Sequence, residues 1–347
     1  MPTSPPGAPE RRPRLTPAVA DARRAVRESL ADLAAPQREP RDGPLVLVAL
    51  SGGPDSLALA AATAFEAPRL GLRAGAVIID HGLQGDSTAV ADRAASAARG
   101  LGLDPVEVRR VDVGEQGGPE AAARTARYAA LDTAAREHGA AAVLLGHSRD
   151  DQAETVLLGL ARGSGTASLA GMAAVVGHYR RPLLGVRRAA LAAACADQGL
   201  EPWHDPHNDD EAFARVRVRS SILPLLEDQL DRGVVDALAR TAEIAREDSE
   251  ALEHMVEEVA EELVELAEGG CALPVAWLAA NPAALRHRLI RLVAHAEFGV
   301  SLSRVQTLEI GRLAVEWHGQ GSVHVPGIRV EREGPRIVFR ATATNEH

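Results

Sequence analysis

The run Leu45-Val46-Leu47-Val48-Ala49-Leu50, broken by Ser51-Gly52-Gly53-Pro54-Asp55-Ser56, constrains this chain more than any other feature. A short apolar run bounded by glycines reads as a strand buried on both faces. The same alternation continues downstream. Helices are predicted at about 54–66, 87–100, 119–137 and 149–162, between strands at about 74–79, 105–111 and 141–145. Alternating strands and helices imply an α/β fold built on a doubly wound parallel sheet. Ligands of such sheets bind beyond the carboxyl ends of the strands. The 51–56 loop, Asp80-His81 and the cluster from His147 to Glu154 all fall at those ends.

Strand, glycine loop and helix in that order suit a phosphate group. Glycines let the backbone approach closely, and amides at the helix start point at the anion along the helix dipole. Ser51 and Ser56 add hydroxyls, and Pro54 suits the first helical position, where no N–H is needed. No lysine follows the glycines, so the loop is not a Walker A loop, and its spacing is not GxGxxG. A plain strand-to-helix turn with a serine cap is the competing interpretation.

A length of 347 residues suits two domains. A Pro/Arg-rich extension over 1–40, disordered to about residue 18 and helical over 19–34, should precede a catalytic domain over 41–225. The character changes past 225. A long acidic helix is predicted over 234–268, another helix capped at Asn281-Pro282, and a terminal β-hairpin from the stretches 322–325 and 336–339. The region 226–347 thus reads as a mainly helical domain ending in a hairpin. The net charge of −10 opposes a general polyanion binder, so a nucleic-acid partner needs a local patch of arginines, the sole strong cations of this lysine-free chain. Cys195 and Cys271 stand alone, which suits a reducing cytoplasm. No apolar run reaches the roughly 20 residues of a membrane span, and the N-terminus lacks a signal peptide's apolar core.

Further motifs sharpen the reading. Asp80-His81-Gly82-Leu83 follows the second strand, and Glu120, Arg124, Arg127 and Tyr128 share one face of the third helix. Gly146-His147-Ser148-Arg149-Asp150-Asp151-Gln152-Ala153-Glu154-Thr155 follows the fourth strand, and Arg162-Gly163-Ser164-Gly165 closes its helix. Trp203-His204-Asp205-Pro206-His207-Asn208, Arg215-Val216-Arg217-Val218-Arg219 and Leu223-Pro224 come later. The loop resembles the SGGxDS signature of PP-loop ATP pyrophosphatases, and the set together resembles the tRNA(Ile)-lysidine synthetases, strongly over about 45–225. That resemblance implies cleavage of ATP between its α and β phosphates. It implies ATP, Mg²⁺, free L-lysine and an isoleucine tRNA with a CAU anticodon as reactants. Lysine joins C2 of the wobble cytidine through an adenylated cytidine, with AMP and pyrophosphate released. A homodimer is compatible with the sequence, and the large further C-terminal domain of longer family members is expected to be absent.

Each candidate residue has a plainer interpretation beside it. Asp150, Asp151 and Glu154 lie three or four residues apart at a helix start and could hold Mg²⁺, or merely suit the helix dipole. Asp151 is the expected essential carboxylate, with Asp55 beside it in the catalytic set. His147 reads equally as a reacting group and as a structural hydrogen-bonder. Asp80 and His81 are placed near ATP or the target base. Arg124 and Arg127 could neutralise phosphate charge, or pair with Glu120 in solvent. Arg215, Arg217 and Arg219 provide tRNA-phosphate contacts, although a helix would fan them over more than one face. Arg286, Arg288 and Arg291 form a second patch, assigned to the tRNA stem. Two positions depart from the family pattern, Val216 where Asn is common and Gln84 where Arg is common, which puts detail of RNA contact in doubt. A PP-loop tRNA thiolase fits poorly, since the two cysteines are isolated. A small-molecule amide ligase and a non-catalytic nucleotide or RNA binder are the other rivals.

Overall fold

The computed structural model describes residues 15–35, 42–82, 87–112, 114, 119–163, 165–205, 210–230 and 232–342. Residues 1–14 and 36–41 of the expected extension and linker, Leu83, Gln84, Ser164, Pro206, His207, Asn208 and the side chain of Glu120 lie outside that description. Two compact units divide between Glu243 and Ile244.

In the first unit, α1 (Pro17–Ser29) opens on Thr16, whose hydroxyl accepts from Val19 N–H, with Pro17 in the first turn. It begins and ends before the predicted 19–34, since a 3-10 turn at Ala31–Leu33 follows. Then come β1 (Leu45–Ala49), α2 (Pro54–Glu66), β2 (Arg73–Asp80), α3 (Ser87–Gly100), β3 (Val106–Arg110), α4 (Pro119–Glu137), β4 (Ala140–Leu145) and α5 (Arg149–Ala161). After these lie α6 (Thr166–Leu169), β5 (Val175–Val176), β6 (Tyr179–Arg180), α7 (Arg188–Asp197), α8 (Ala214–Arg217) and α9 (Leu223–Gln229).

The sheet order is β3-β2-β1-β4-β6-β5. β1 lies parallel to both β2 and β4, so the chain reverses its direction of travel across the sheet between β1 and β4. A crevice opens at such a point, at the carboxyl ends of the strands. Period-two alternation divides the side chains between two faces. Val46, Val48, Ile78 and Leu144 pack with Leu57, Leu59, Ala91, Ala94 and Leu191 of α2, α3 and α7. Leu45, Leu47, Val77, Val143 and Leu145 pack with Leu131, Ala134 and Ala135 of α4. Both faces are dry, as the continuous apolar run of β1 requires.

The helix α10 (Val234–Leu263) begins in the first unit, and the second unit continues with β7 (Glu265–Ala267), β8 (Gly270–Pro274), α11 (Val275–Ala280), α12 (Ala283–Phe298), α13 (Arg304–Val315), β9 (Val323–Val325), β10 (Ile328–Glu333) and β11 (Arg336–Ala341). The long helix therefore stops earlier than predicted, because residues 265–267 pair with β8 around Gly269, which takes a left-handed φ of 74°. The stretches 322–325 and 336–339 do not pair with each other. β10 lies between them, and the terminal hairpin is β10–β11 within a five-stranded antiparallel sheet, β7-β8-β11-β10-β9. The charged residues of β10 hid its alternation, in which Ile328 and Val330 are fully buried. Asn281 ends α11, and Pro282 caps α12 without a side-chain bond. No described helix is long and apolar enough to cross a membrane.

Candidate functional site

The turn after β1 is set by hydroxyls and glycine. Ser51 N–H donates to Ser56 Oγ at 3.2 Å, the two serine hydroxyls lie 3.0 Å apart, and Ser56 Oγ donates to Gly53 O at 3.0 Å. Gly52 has φ 83°, a left-handed conformation that side-chained residues rarely adopt. Its carbonyl accepts from Trp203 N–H at 2.9 Å, which ties the loop to the segment before α8. Gly53 then caps α2, Pro54 fills the first turn and Asp55 follows. At the end of β4, a Cβ on Gly146 would lie 3.1 Å from Ser56 N and Cα, so glycine lets the start of α2 press against that strand end.

Asp151 sits in the reciprocal cap of α5. Its Oδ2 accepts from Ser148 N–H and Ser148 Oγ–H, both at 2.8 Å, and its Oδ1 from Arg188 Nη2 at 2.7 Å. Burial alone would raise the Asp151 carboxyl, but the Arg188 charge and the Ser148 bonds hold it below the usual range. Asp55 goes the other way. Burial, then the nearby Asp151 charge, push it up to about 6 despite Arg188 Nε at 3.5 Å. Its Oδ1 is buried and has no partner among the described residues.

Glu154 is fully buried. Its Oε1 accepts from Arg188 Nη1 at 3.1 Å and Arg219 Nε at 2.8 Å, its Oε2 from Arg219 Nη2 at 3.2 Å, and Arg215 Nε stands 3.6 Å away. Asp150 Oδ2 accepts from the backbone N–H of Arg188 at 2.7 Å, an orphan donor in the first turn of α7. The expected metal trio is thereby revised. Asp150 faces α7 and Glu154 is enclosed by guanidinium groups, so of the three it is Asp151 that lines the cleft, with Asp55 beside it. Among the described residues no three His, Cys, Asp or Glu side chains converge as a metal-holding group. A buried carboxylate oxygen without a partner, beside a second carboxylate, still fits a cation that keeps only one or two carboxylates and takes phosphate oxygens for the rest.

The arginines also separate. Arg215 and Arg219 share a face, with Arg215 Nη2 donating to Thr155 Oγ1 at 2.8 Å. Arg217 donates to the carbonyls of Glu211 and Ala212 at 2.6 and 2.8 Å. Val216, between them, is buried. On α4, Arg124 is exposed and stacks over the Tyr128 ring, 4.9 Å from its centroid, whereas Arg127 lines the cleft and its buried Nε has no partner among the described residues. Burial lowers the Arg127 guanidinium from its usual value.

Asp80 is buried at the end of β2 and accepts from Gly82 N–H at 3.0 Å and Thr88 Oγ1 at 3.1 Å. Burial would raise it, but those bonds and one from Ser87 hold its carboxyl below the usual range. Burial depresses both imidazoles, His147 to about 4 and His81 in the same direction. Cys195 is buried and donates to Pro54 O at 3.3 Å, and burial raises its thiol to about 11, far from a reactive thiolate.

These groups line one cleft of about 740 Å³, with Ser51, Asp55, Asp80, Arg127, Asp151 and Arg188 in its wall. Arg188, which bridges Asp55, Asp151 and Glu154, was not singled out by motif. The available signal was Arg187-Arg188 at a helix start, where the dipole repels cations and a carboxylate partner is required.

Residues 23–226 match the family model described as PP-loop domain. The chain is 60% identical over 298 residues to a tRNA(Ile)-lysidine synthase of Leifsonia xyli, covering 86% of this chain and 90% of that protein. It is 56% identical over 304 residues to a tRNA(Ile)-lysidine synthase of Streptomyces coelicolor, covering 86% and 85%. A relative of the same description from Thermobifida fusca is 53% identical over 315 residues, covering 90% and 94%. Among solved structures, a U34-tRNA thiolase from Methanococcus maripaludis with its [4Fe-4S] cluster superposes with a TM-score of 0.52 at 20% identity, over 65% of this chain and 78% of that one. At that identity the likeness concerns the fold alone.

Proposed function

The chain belongs to the tRNA(Ile)-lysidine synthase family, and from that premise we propose that it joins free L-lysine to C2 of the wobble cytidine of CAU-anticodon isoleucine tRNA, converting ATP to AMP and pyrophosphate. One observation carries the reading: the left-handed Gly52 turn, the start of α2 and the Asp55–Asp151–Arg188 cluster line the same cleft.

The amides that open α2, with the Ser51 and Ser56 hydroxyls, hold the triphosphate. Asp55 and Asp151 would hold Mg²⁺, which shields phosphate charge when bound. Arg188, paired with both carboxylates, and Arg219, 3.6 Å from Asp151, offset the repulsion between them and face the phosphates. The wobble cytidine leaves its stack to reach the site. Its O2 attacks the α-phosphorus, and pyrophosphate leaves. The lysine ε-amine then attacks C2 and expels AMP. The amine must first shed a proton, and an arginine-rich wall favours its neutral form. A carboxylate of the cleft or His147, whose buried Nδ1 has no partner among the described residues, takes that proton. Asp80 orders the end of β2 beside the nucleotide, and Arg217, exposed on α8, contacts the RNA backbone. The setting is the cytoplasm, where tRNA, ATP and lysine meet.

Labelled lysine, ATP and two CAU-bearing transcripts test the proposal. Label should enter isoleucine tRNA and not methionine tRNA, with one AMP formed per lysine joined. Label in neither RNA, or AMP formed without transfer, refutes it.

A further inference from the structure

Among the described residues, four that line the cleft each carry a buried polar atom without a partner: Asp55 Oδ1, His81 Nδ1, Arg127 Nε and His147 Nδ1. Such an atom costs roughly 1–3 kcal/mol, so a group of them at one cavity points to partners on a ligand. They belong to different faces of the sheet. Asp80 bonds toward α3 and Gly146 abuts the start of α2, whereas His81 and His147, just past the ends of β2 and β4, both lie within reach of the Arg127 charge on α4. Arg127 comes from α4 itself, and its charge acts on both imidazoles. Val77, Ile79, Leu131 and Leu145 give that side of the cleft an apolar floor. An apolar floor with a few convergent polar atoms suits a planar heterocycle rather than a triphosphate.

We propose that His81, Arg127 and His147 form the subsite that reads the pyrimidine edge, with His81 Nδ1 accepting from the 4-amino group of cytosine and Arg127 Nε–H donating to its N3. This rests on the function proposed above. The orientation follows from charge. His147 is flanked by Asp151, Arg127, Arg181 and Arg215, so it stands at the reacting C2 end. The charges that act on His81 are those of Arg127 and Asp80, away from Asp151, which places it at the C4 end. Burial keeps the His81 ring neutral, and a neutral imidazole protonated on Nε2 accepts at Nδ1. Uracil fails at both positions: its O4 cannot donate to His81, and its N3–H meets the Arg127 donor. When the amine adds at C2, electron density moves onto N3, where the guanidinium stabilises it.

The test uses CAU tRNA carrying pyrimidin-2-one ribonucleoside at position 34, which lacks only the 4-amino group. For the wild-type protein kcat/KM for lysine transfer should be about 10–100-fold lower than on cytidine, the cost of an unmet buried acceptor. In His81→Phe the two RNAs should react within about threefold of each other, because no acceptor is left to disappoint. His81→Gln, which restores an acceptor oxygen, should recover the preference and guards against a Phe variant that does not fold. A wild-type protein that treats both RNAs alike, or a His81→Phe variant that keeps the full preference, overturns the inference. A wild-type protein inert on unmodified cytidine overturns the proposed function, and the inference with it.

Discussion

Glu154→Gln separates an anchoring role for this side chain from a metal-binding one. The carboxylate is fully buried and meets Arg188 at 3.1 Å, Arg219 at 2.8 Å and Arg215 at 3.6 Å. Glutamine keeps one accepting oxygen but turns two N–H donors toward guanidinium groups that can only donate. Removing one partner of a buried ion pair typically costs about 3–5 kcal/mol. The low end applies here, because the Arg188, Arg219 and Arg215 side chains retain 24%, 29% and 36% of their exposure and recover part of the loss through water. At about 2–4 °C per kcal/mol for a unit of this size, a loss of about 3 kcal/mol lowers Tm by roughly 6–12 °C. The assay is a thermal melt of the ligand-free protein, followed by lysine transfer at several Mg²⁺ concentrations. An anchor predicts a lowered Tm and an activity that extra Mg²⁺ does not restore. A Tm within about 1 °C of wild type, with activity rescued by high Mg²⁺, would refute the anchoring argument and return Glu154 to the metal.

Gly52→Ala should raise the KM for ATP, and equilibrium nucleotide binding measures it. The nearest atom to an added Cβ is 3.6 Å away, so the effect comes from the φ of 83°, at about 1–2 kcal/mol, and not from a clash. Gly146→Ala should lower kcat more than stability, since the new Cβ meets Ser56 backbone at 3.1 Å and displaces the start of α2. Transfer kinetics beside a melt would check this. Asp55→Asn should abolish transfer yet stabilise the ligand-free protein at pH 7, as seen in denaturant titrations. The Asp55 carboxyl rises from 3.8 to about 6 on folding, so the folded state binds the extra proton, and stability falls as pH rises through that window. Asn removes the penalty, at most about 3 kcal/mol, and should flatten the wild-type decline between about pH 4 and 6.

The sheet was legible because its signals are local. The apolar run of β1, the glycines after it and Pro54 each act within a few residues, so Pro54–Glu66 and Ser87–Gly100 emerge with the boundaries predicted. The second unit was less so. Residues 265–267 carry no strand signal of their own and owe their state to pairing with Gly270–Ala272. The site was half legible for a similar reason. Spacing along one helix suggested that Asp150, Asp151 and Glu154 act together, but it cannot say what arrives from elsewhere in the chain.

What arrives is charge of the opposite sign, and under the proposed function this explains how an acidic protein keeps a cleft for phosphates. Arg188, Arg215 and Arg219 come from segments 34 to 65 residues beyond Glu154, and all three converge on its carboxylate. Without that buried anion their mutual repulsion would drive them apart into solvent. With it they stay together, and each retains donors that Glu154's two oxygens cannot absorb, since a guanidinium carries five. Arg188 and the Ser148 bonds hold the Asp151 carboxyl below the usual range, whereas burial and the Asp151 charge push Asp55 up to about 6 despite the same arginine. The helix start at Arg187-Arg188 is unfavourable by its dipole alone. Asp150 offsets that locally by accepting from the Arg188 amide, which frees the Arg188 side chain to span all three acids. Under the proposed function Asp151 and Glu154 thus gather the arginines, and the gathered arginines add to the pull of the α2 amides on a polyanion.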